Sequence, residues 1–143
     1  MTEKNNILVA VDGSKAAYEA FVEALKYKET AKITLLSVID QAIPNDQEFY
    51  LSPQYQILPE VDEFELLAEN YLNQLAENAH TKHHIEKVVL EGNANKCIVQ
   101  YATEHAIDLI ILGKTEKNLI ERVVLGQTAT YVTKHAPCEV LVK

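Results

Sequence analysis

Ile7-Leu8-Val9-Ala10-Val11-Asp12-Gly13-Ser14 is the stretch on which the fold turns. Its first five residues are apolar without a break, the habit of a strand buried on both faces of a parallel sheet. Asp12-Gly13-Ser14 then stops the strand with a turn signal that also suits the start of a helix. Ala17, Ala20, Phe21, Ala24 and Leu25 follow at helical spacing. A buried strand running straight into a helix is the first half of a βαβ unit.

The same alternation continues outward. Ile33 to Ile39 reads as a second strand. Residues 41–60 break the pattern with Pro44, Pro53 and Pro59 and read as a long surface loop, a length that often goes with function. Val61, Phe64, Leu67, Ala68, Tyr71, Leu72, Leu75 and Ala79 trace one face of a long helix. His84 to Leu90 reads as a third strand ended by Gly92, and Ala94 to His105 as a third helix. Asp108 to Leu112 is a fourth strand ended by Gly113. A final helix runs from about Gly126 to Lys134, stopped by Pro137, and Cys138 to Val142 is a fifth strand. Strict alternation with right-handed crossovers predicts a Rossmann-like, doubly wound α/β fold, a five-stranded parallel sheet with helices on both faces. The whole chain, 1–143, is expected to form one domain.

Composition narrows the function. The net charge of −8 repels a phosphate backbone or an anionic bilayer, so neither nucleic acid nor membrane is an expected partner. Acidic residues crowd positions 46–69, while Lys114, Lys117, Arg122 and Lys134 lie later and can meet a small anion. Cys97 and Cys138 form no Cys-x-x-Cys unit and are expected to be buried free thiols. The apolar run after the polar start is too short for a signal core or a membrane span, so a cytoplasmic location is expected.

Ligands of doubly wound sheets sit beyond the carboxyl ends of the strands, where strand order reverses. Two segments there carry unusual residues. Asp12 can accept a hydrogen bond from a sugar hydroxyl or a base amino group, or it and Ser14 can simply cap the first helix. Gly113 tolerates positive φ and can turn the chain off the fourth strand. Gly126 precedes a helix, and its missing side chain would let a phosphate reach the free N–H groups of the first turn. Gln127 and Thr128 can donate to phosphate oxygens, and Lys114 and Lys117 supply charge; loop glycines and solvated lysines would look the same. Walker, dinucleotide, nucleophile-elbow and zincin motifs are absent from the sequence. His80, His83 and His84 lack suitably spaced partners, so no metal site is expected. His105 and His135 sit near helix ends, where the dipole suits a partly positive ring.

Taken together, these segments resemble the universal stress protein family. The likeness runs through Ile7 to Ser14, Gly92, Asp108 to Gly113 and, above all, Val124 to Val142. It implies a fold like that of the adenine nucleotide alpha hydrolases. ATP-binding members carry Gly-x-x-Gly, nine residues, then Gly-Ser/Thr; here Gly113 and Gly126 match, while Glu116 replaces the second glycine and Gln127 the Ser or Thr. By this resemblance Ala10, Asp12 and Val38 line the adenine and ribose side, and Gly113, Lys114, Glu116, Gly126, Gln127 and Thr128 surround ribose and phosphates. A carboxylate at Glu116 within about 6 Å of a phosphate charge costs on the order of 3 kcal/mol at an effective dielectric near 20, which Lys114 and Lys117 would offset.

The implied function is a stress-associated regulatory protein. It binds ATP, with Mg²⁺, or a related adenine nucleotide, with no covalently held group. It works as a homodimer paired through Cys138 to Val142. The alternative is a nucleotide-free dimeric interaction module with a degenerate phosphate site. A slow ATPase is a lesser possibility, because only Asp12 and Glu116 offer carboxylates for water or metal.

Overall fold

The computed structural model describes residues 5–12, 15–39, 61–79, 85–114 and 127–143. Strand β1 (Asn6–Ala10) leads into helix α1 (Lys15–Ala24), extended by a short 3-10 turn at Leu25–Tyr27. Strand β2 (Lys32–Ile39), helix α2 (Val61–Asn78), strand β3 (Glu86–Glu91) and helix α3 (Ala94–Glu104) follow. Strand β4 (Leu109–Leu112), helix α4 (Gln127–His135) and strand β5 (Glu139–Val142) complete the order. The elements therefore match those read from the sequence, with ends moved by a residue or two. The 41–60 segment, His80, His83 and His84 lie outside the described residues.

All strand pairs are parallel and the sheet order is β3-β2-β1-β4-β5. The chain winds outward from β1 through β2 to β3, then returns to the other side of β1 for β4 and β5. The order reverses between β1 and β4. Alternate residues of β1 feed two separate cores. Ile7 and Val9 pack with Leu35, Ile111 and Phe21 beneath α1 and α2; Leu8 packs with Leu36, Ile110, Ile98 and Val132 beneath α3 and α4. Leu8 and Val9 are both fully buried, which accounts for the unbroken apolar run. Thr34 is the buried polar side chain among the described residues, and its hydroxyl bonds to that of Tyr101. Burial raises the Tyr101 pKa despite that bond.

Two contacts hold the centre of the sheet. At the amino edge Asp108 Oδ2 accepts from the backbone N–H groups of Asn5 and Asn6, at 3.0 and 2.9 Å. At the carboxyl edge α1 crosses over Gly113. A Cβ built there would lie 2.7 Å from the Ala16 carbonyl carbon and 2.9 Å from the Ala17 nitrogen. The expected role of Gly113 is corrected by this: positive φ belongs to Gly92, at 140°, and Gly113 is needed for close approach of a helix. Gly92 ends β3 and donates its N–H to the Ile39 carbonyl at 2.9 Å. Asn93 then caps α3 by accepting from the Lys96 N–H.

The remaining side-chain expectations divide. Cys97 and Cys138 form no disulfide and are half-buried rather than buried, with Cys138 at the margin of the α3/α4 core. His105 and His135 do end their helices. Each ring stacks on the tyrosine one turn earlier, Tyr101 at 3.8 Å and Tyr131 at 4.1 Å, with Nδ1 bound to that tyrosine's carbonyl. Past β5, Lys143 reaches Glu23 of α1 at 3.1 Å. Hydrogen bonds from Lys26 and Lys143 hold the Glu23 carboxyl below its usual range.

Asp108→Ala strips the half-buried Asn6 N–H of its carboxylate partner and is expected to cost about 1–3 kcal/mol. A lower urea midpoint at unchanged m-value is the reading that checks it. Gly113→Ala forces α1 off the sheet, and overpacking of this kind costs about 1–3 kcal/mol. Its thermal midpoint should fall, and an unchanged midpoint would contradict the packing described.

Candidate functional site at the carboxyl edge

The site is built by the strand register. Ala10 of β1 pairs with Leu36 of β2, and Val9 with Ile111 of β4. Continuing those registers sets Asp12 level with Val38 on one side and with Lys114 on the other. Ala10, Asp12, Val38, Gly113 and Lys114 therefore share one corner of the sheet, at the point where strand order reverses. This is the crevice in which open α/β sheets hold ligands.

Exposure changes along β1 and β2 as the strands reach this corner. Leu8 and Leu36 are fully buried, whereas Ala10 and Val38, two residues further on the same face, are half-buried. Asp12 is exposed at the end of the row. On the α3/α4 side the corner thus has an apolar floor that opens toward a carboxylate. Such a floor suits a flat apolar ring, with Asp12 placed to accept from a hydroxyl or amino group.

The residues expected to meet a phosphate, Gln127 and Thr128, open α4. Gln127 begins that helix and is exposed, and Thr128 is half-buried behind it. The N–H groups of a first helical turn have no partner within the helix and carry the positive end of its dipole. Lys114 is exposed, but its backbone N–H is already given to the Lys143 carbonyl at 2.8 Å. What Lys114 can offer an anion is its ammonium group. Glu116 and Gly126 lie outside the described residues.

Two aromatic residues join the corner that sequence reasoning did not assign to it. Burial first, then the Asp12 carboxylate and the Tyr18 phenol, push the Tyr71 hydroxyl above the ordinary tyrosine range. Tyr71 of α2 is half-buried and Tyr18 of α1 is exposed. Helical spacing marks Tyr71 as a core position, and it does pack on the α1/α2 core. Nothing in that spacing signals the carboxylate near its hydroxyl. Among the described residues no cluster of His, Cys, Asp and Glu could hold a metal ion, and no helix is long and apolar enough to cross a membrane.

Comparisons with known proteins agree with this architecture. The model of the universal stress protein family matches residues 4–142. A protein of Staphylococcus aureus (strain USA300) that carries the same family name is 34% identical, across 99% of this chain and 85% of its own. The solved structure of the universal stress protein UspA from Lactobacillus plantarum is 33% identical, covers 99% of both chains and superposes with a TM-score of 0.81. A universal stress protein solved in complex with cAMP shares the fold at 19% identity and a TM-score of 0.68, over 99% of this chain and 98% of that one. With its sheet order, its switch-point corner and a family match that spans nearly every residue, this chain belongs to the universal stress protein family.

Proposed function

We propose that this chain binds an adenine nucleotide at the carboxyl edge of β1 and β4, and acts in the cytoplasm as a regulatory homodimer of a single domain. The strand register carries the reading: continued past Ala10 and Val9, it sets Val38, Asp12 and Lys114 in one row at the switch point. That row offers an apolar floor, a carboxylate and a cation within one corner, in the order that a base, a sugar and a phosphate require. The relative solved with cAMP lends support, since its fold is the same and its ligand is an adenine nucleotide.

Each residue has a part in this reading. Ala10 and Val38 contact the adenine ring, and Asp12 accepts from the base or the ribose. Gly113 keeps the approach between β4 and α1 low. Lys114 pairs with a phosphate, and the α4 turn at Gln127 and Thr128 donates to its oxygens. Glu116 and Gly126 enter by family resemblance alone, with Gly126 leaving room for a phosphate. A Mg²⁺ ion would neutralise part of a triphosphate's charge and lessen repulsion from Glu116. For the dimer, β5 forms one margin of the sheet and its Val140, Leu141 and Val142 are half-buried. Pairing through Cys138 to Val142 would cover that edge.

A nucleotide-free dimeric module is the second reading. It is favoured by the Lys114 N–H, which the Lys143 carbonyl already occupies, and by the carboxylate at Glu116. Calorimetric titration with ATP, with and without Mg²⁺, separates the two. One site per chain at micromolar affinity is the expected result, and no heat up to millimolar ATP would leave the nucleotide-free module. Asp12→Ala should weaken binding by about tenfold or more, the loss of a hydrogen bond to a charged acceptor. Gly126→Val should abolish binding with an unchanged circular dichroism spectrum, and unaltered affinity in that variant would refute the phosphate placement.

A further inference from the structure

The sheet has a second margin, β3, which no strand covers among the described residues. Which of its backbone groups face outward follows from its pairing with β2. Gly92 donates to the Ile39 carbonyl, so the residues in step with it, Leu90, Val88 and Glu86, turn their N–H and C=O groups to β2. Lys87, Val89 and Glu91 turn theirs away from the sheet. The helices leave room beside this edge. Leu72, Lys87 and Val89 border a cleft of about 270 Å³ on the α2 side, and Val88, Leu90 and Tyr101 border one of about 590 Å³ on the α3 side.

We propose that β3 is an interface for a second copy of this chain, paired antiparallel with its own β3 about a two-fold axis at Val89. In an antiparallel ladder, outward-facing residues must lie opposite outward-facing residues, where each pair exchanges both N–H···O bonds. A two-fold axis at Val89 satisfies that condition along the whole strand. It sets Lys87 opposite Glu91 at both ends, and Val88 opposite Leu90 between them. Glu86 falls opposite Gly92, which has no side chain to repel it. Moving the axis by one residue, to Val88 or to Leu90, preserves the hydrogen-bond pattern but sets Lys87 or Glu91 opposite Val89. Charge complementarity therefore selects the Val89 axis.

Lysine on an edge strand ordinarily discourages pairing. Here its own copy supplies the matching carboxylate, so the same charge that rejects a general partner accepts this one. Pairing also closes the half-buried Val88 and Leu90 of one copy against Leu90 and Val88 of the other. This contact is separate from the β5 margin and from the nucleotide site. It stands whether or not either of those readings does.

Sedimentation velocity over a concentration series tests it with the parent chain, Lys87→Glu, Glu91→Lys and the double exchange. All four keep the same β5 margin, so a β5 dimer contributes equally to each. Each single exchange puts like charges opposite one another at both ends of the strand and should weaken one association step by about tenfold. The double exchange restores opposite charges and should recover it. Identical sedimentation of the parent and the single variants at every concentration would overturn the proposal, as would a double exchange no stronger than the singles. As a second measurement, Val89→Cys chains under mild oxidation should link to each other at that position, since paired Cα atoms there would lie about 5.5 Å apart. Peptide mapping that finds links through Cys97 or Cys138 alone would count against the axis.

Discussion

Strand β1 is hydrogen-bonded to β2 on one side and to β4 on the other, and the rest of the molecule depends on that double pairing. A central strand has no solvent-facing edge and no solvent-facing side, so it must be apolar throughout. Ile7, Leu8 and Val9 meet that demand and are fully buried. Their alternation divides the interior into two cores that share only the sheet. Because the chain leaves β1 in one direction and returns to its other flank for β4, a crevice opens where two helices part. The topology brings the ends of β1, β2 and β4 to that point, and the side chains there set its chemistry.

The register must be held for that corner to exist. One residue of slip between β1 and β4 would place Asp12 level with a different β4 residue and turn the apolar set of β1 to the wrong cores. The two ends of the pair are pinned differently. At the amino edge Asp108 takes two backbone N–H groups of the β1 entry, which fixes the strands in register through a side chain. At the carboxyl edge the absence of a side chain at Gly113 does the work, because α1 can then lie close on β4. The ion pair of Lys143 with Glu23 adds a surface tie between the far end of β5 and the same helix, and an exposed pair of this kind adds little stability.

Much of this was legible in the sequence, for identifiable reasons. Strands buried on both faces announce themselves as unbroken apolar runs, so β1 and β4 stood out, and the helices showed their period. The corner was legible because the carboxyl ends of strands are marked by abrupt polar and glycine residues, Asp12 and Gly113. What stayed hidden depends on contacts between distant segments. A glycine in a sequence does not say whether it serves backbone conformation or close approach, and Gly113 serves the second. Tyr71 obeys the helical period of a core residue, and only the fold sets its hydroxyl near Asp12 and Tyr18. Glu116 and Gly126, on which much of the phosphate reading rests, fall outside the described residues.

The two sides of the corner differ in chemistry, and the difference bears on how a ligand could act on the protein. On the α3/α4 side Ala10 and Val38 form a half-buried apolar floor. On the α1/α2 side burial, then the Asp12 carboxylate and the Tyr18 phenol of α1, raise the pKa of the Tyr71 phenol of α2. A ligand that engaged Asp12 would change the electrostatic surroundings of the Tyr71 phenol, while a group on the apolar floor would pack against the opposite core. That effect would be modest, because Asp12 is exposed to water, which screens its interaction with Tyr71. The Tyr18 phenol that also bears on Tyr71 belongs to α1, the helix that closes on Gly113.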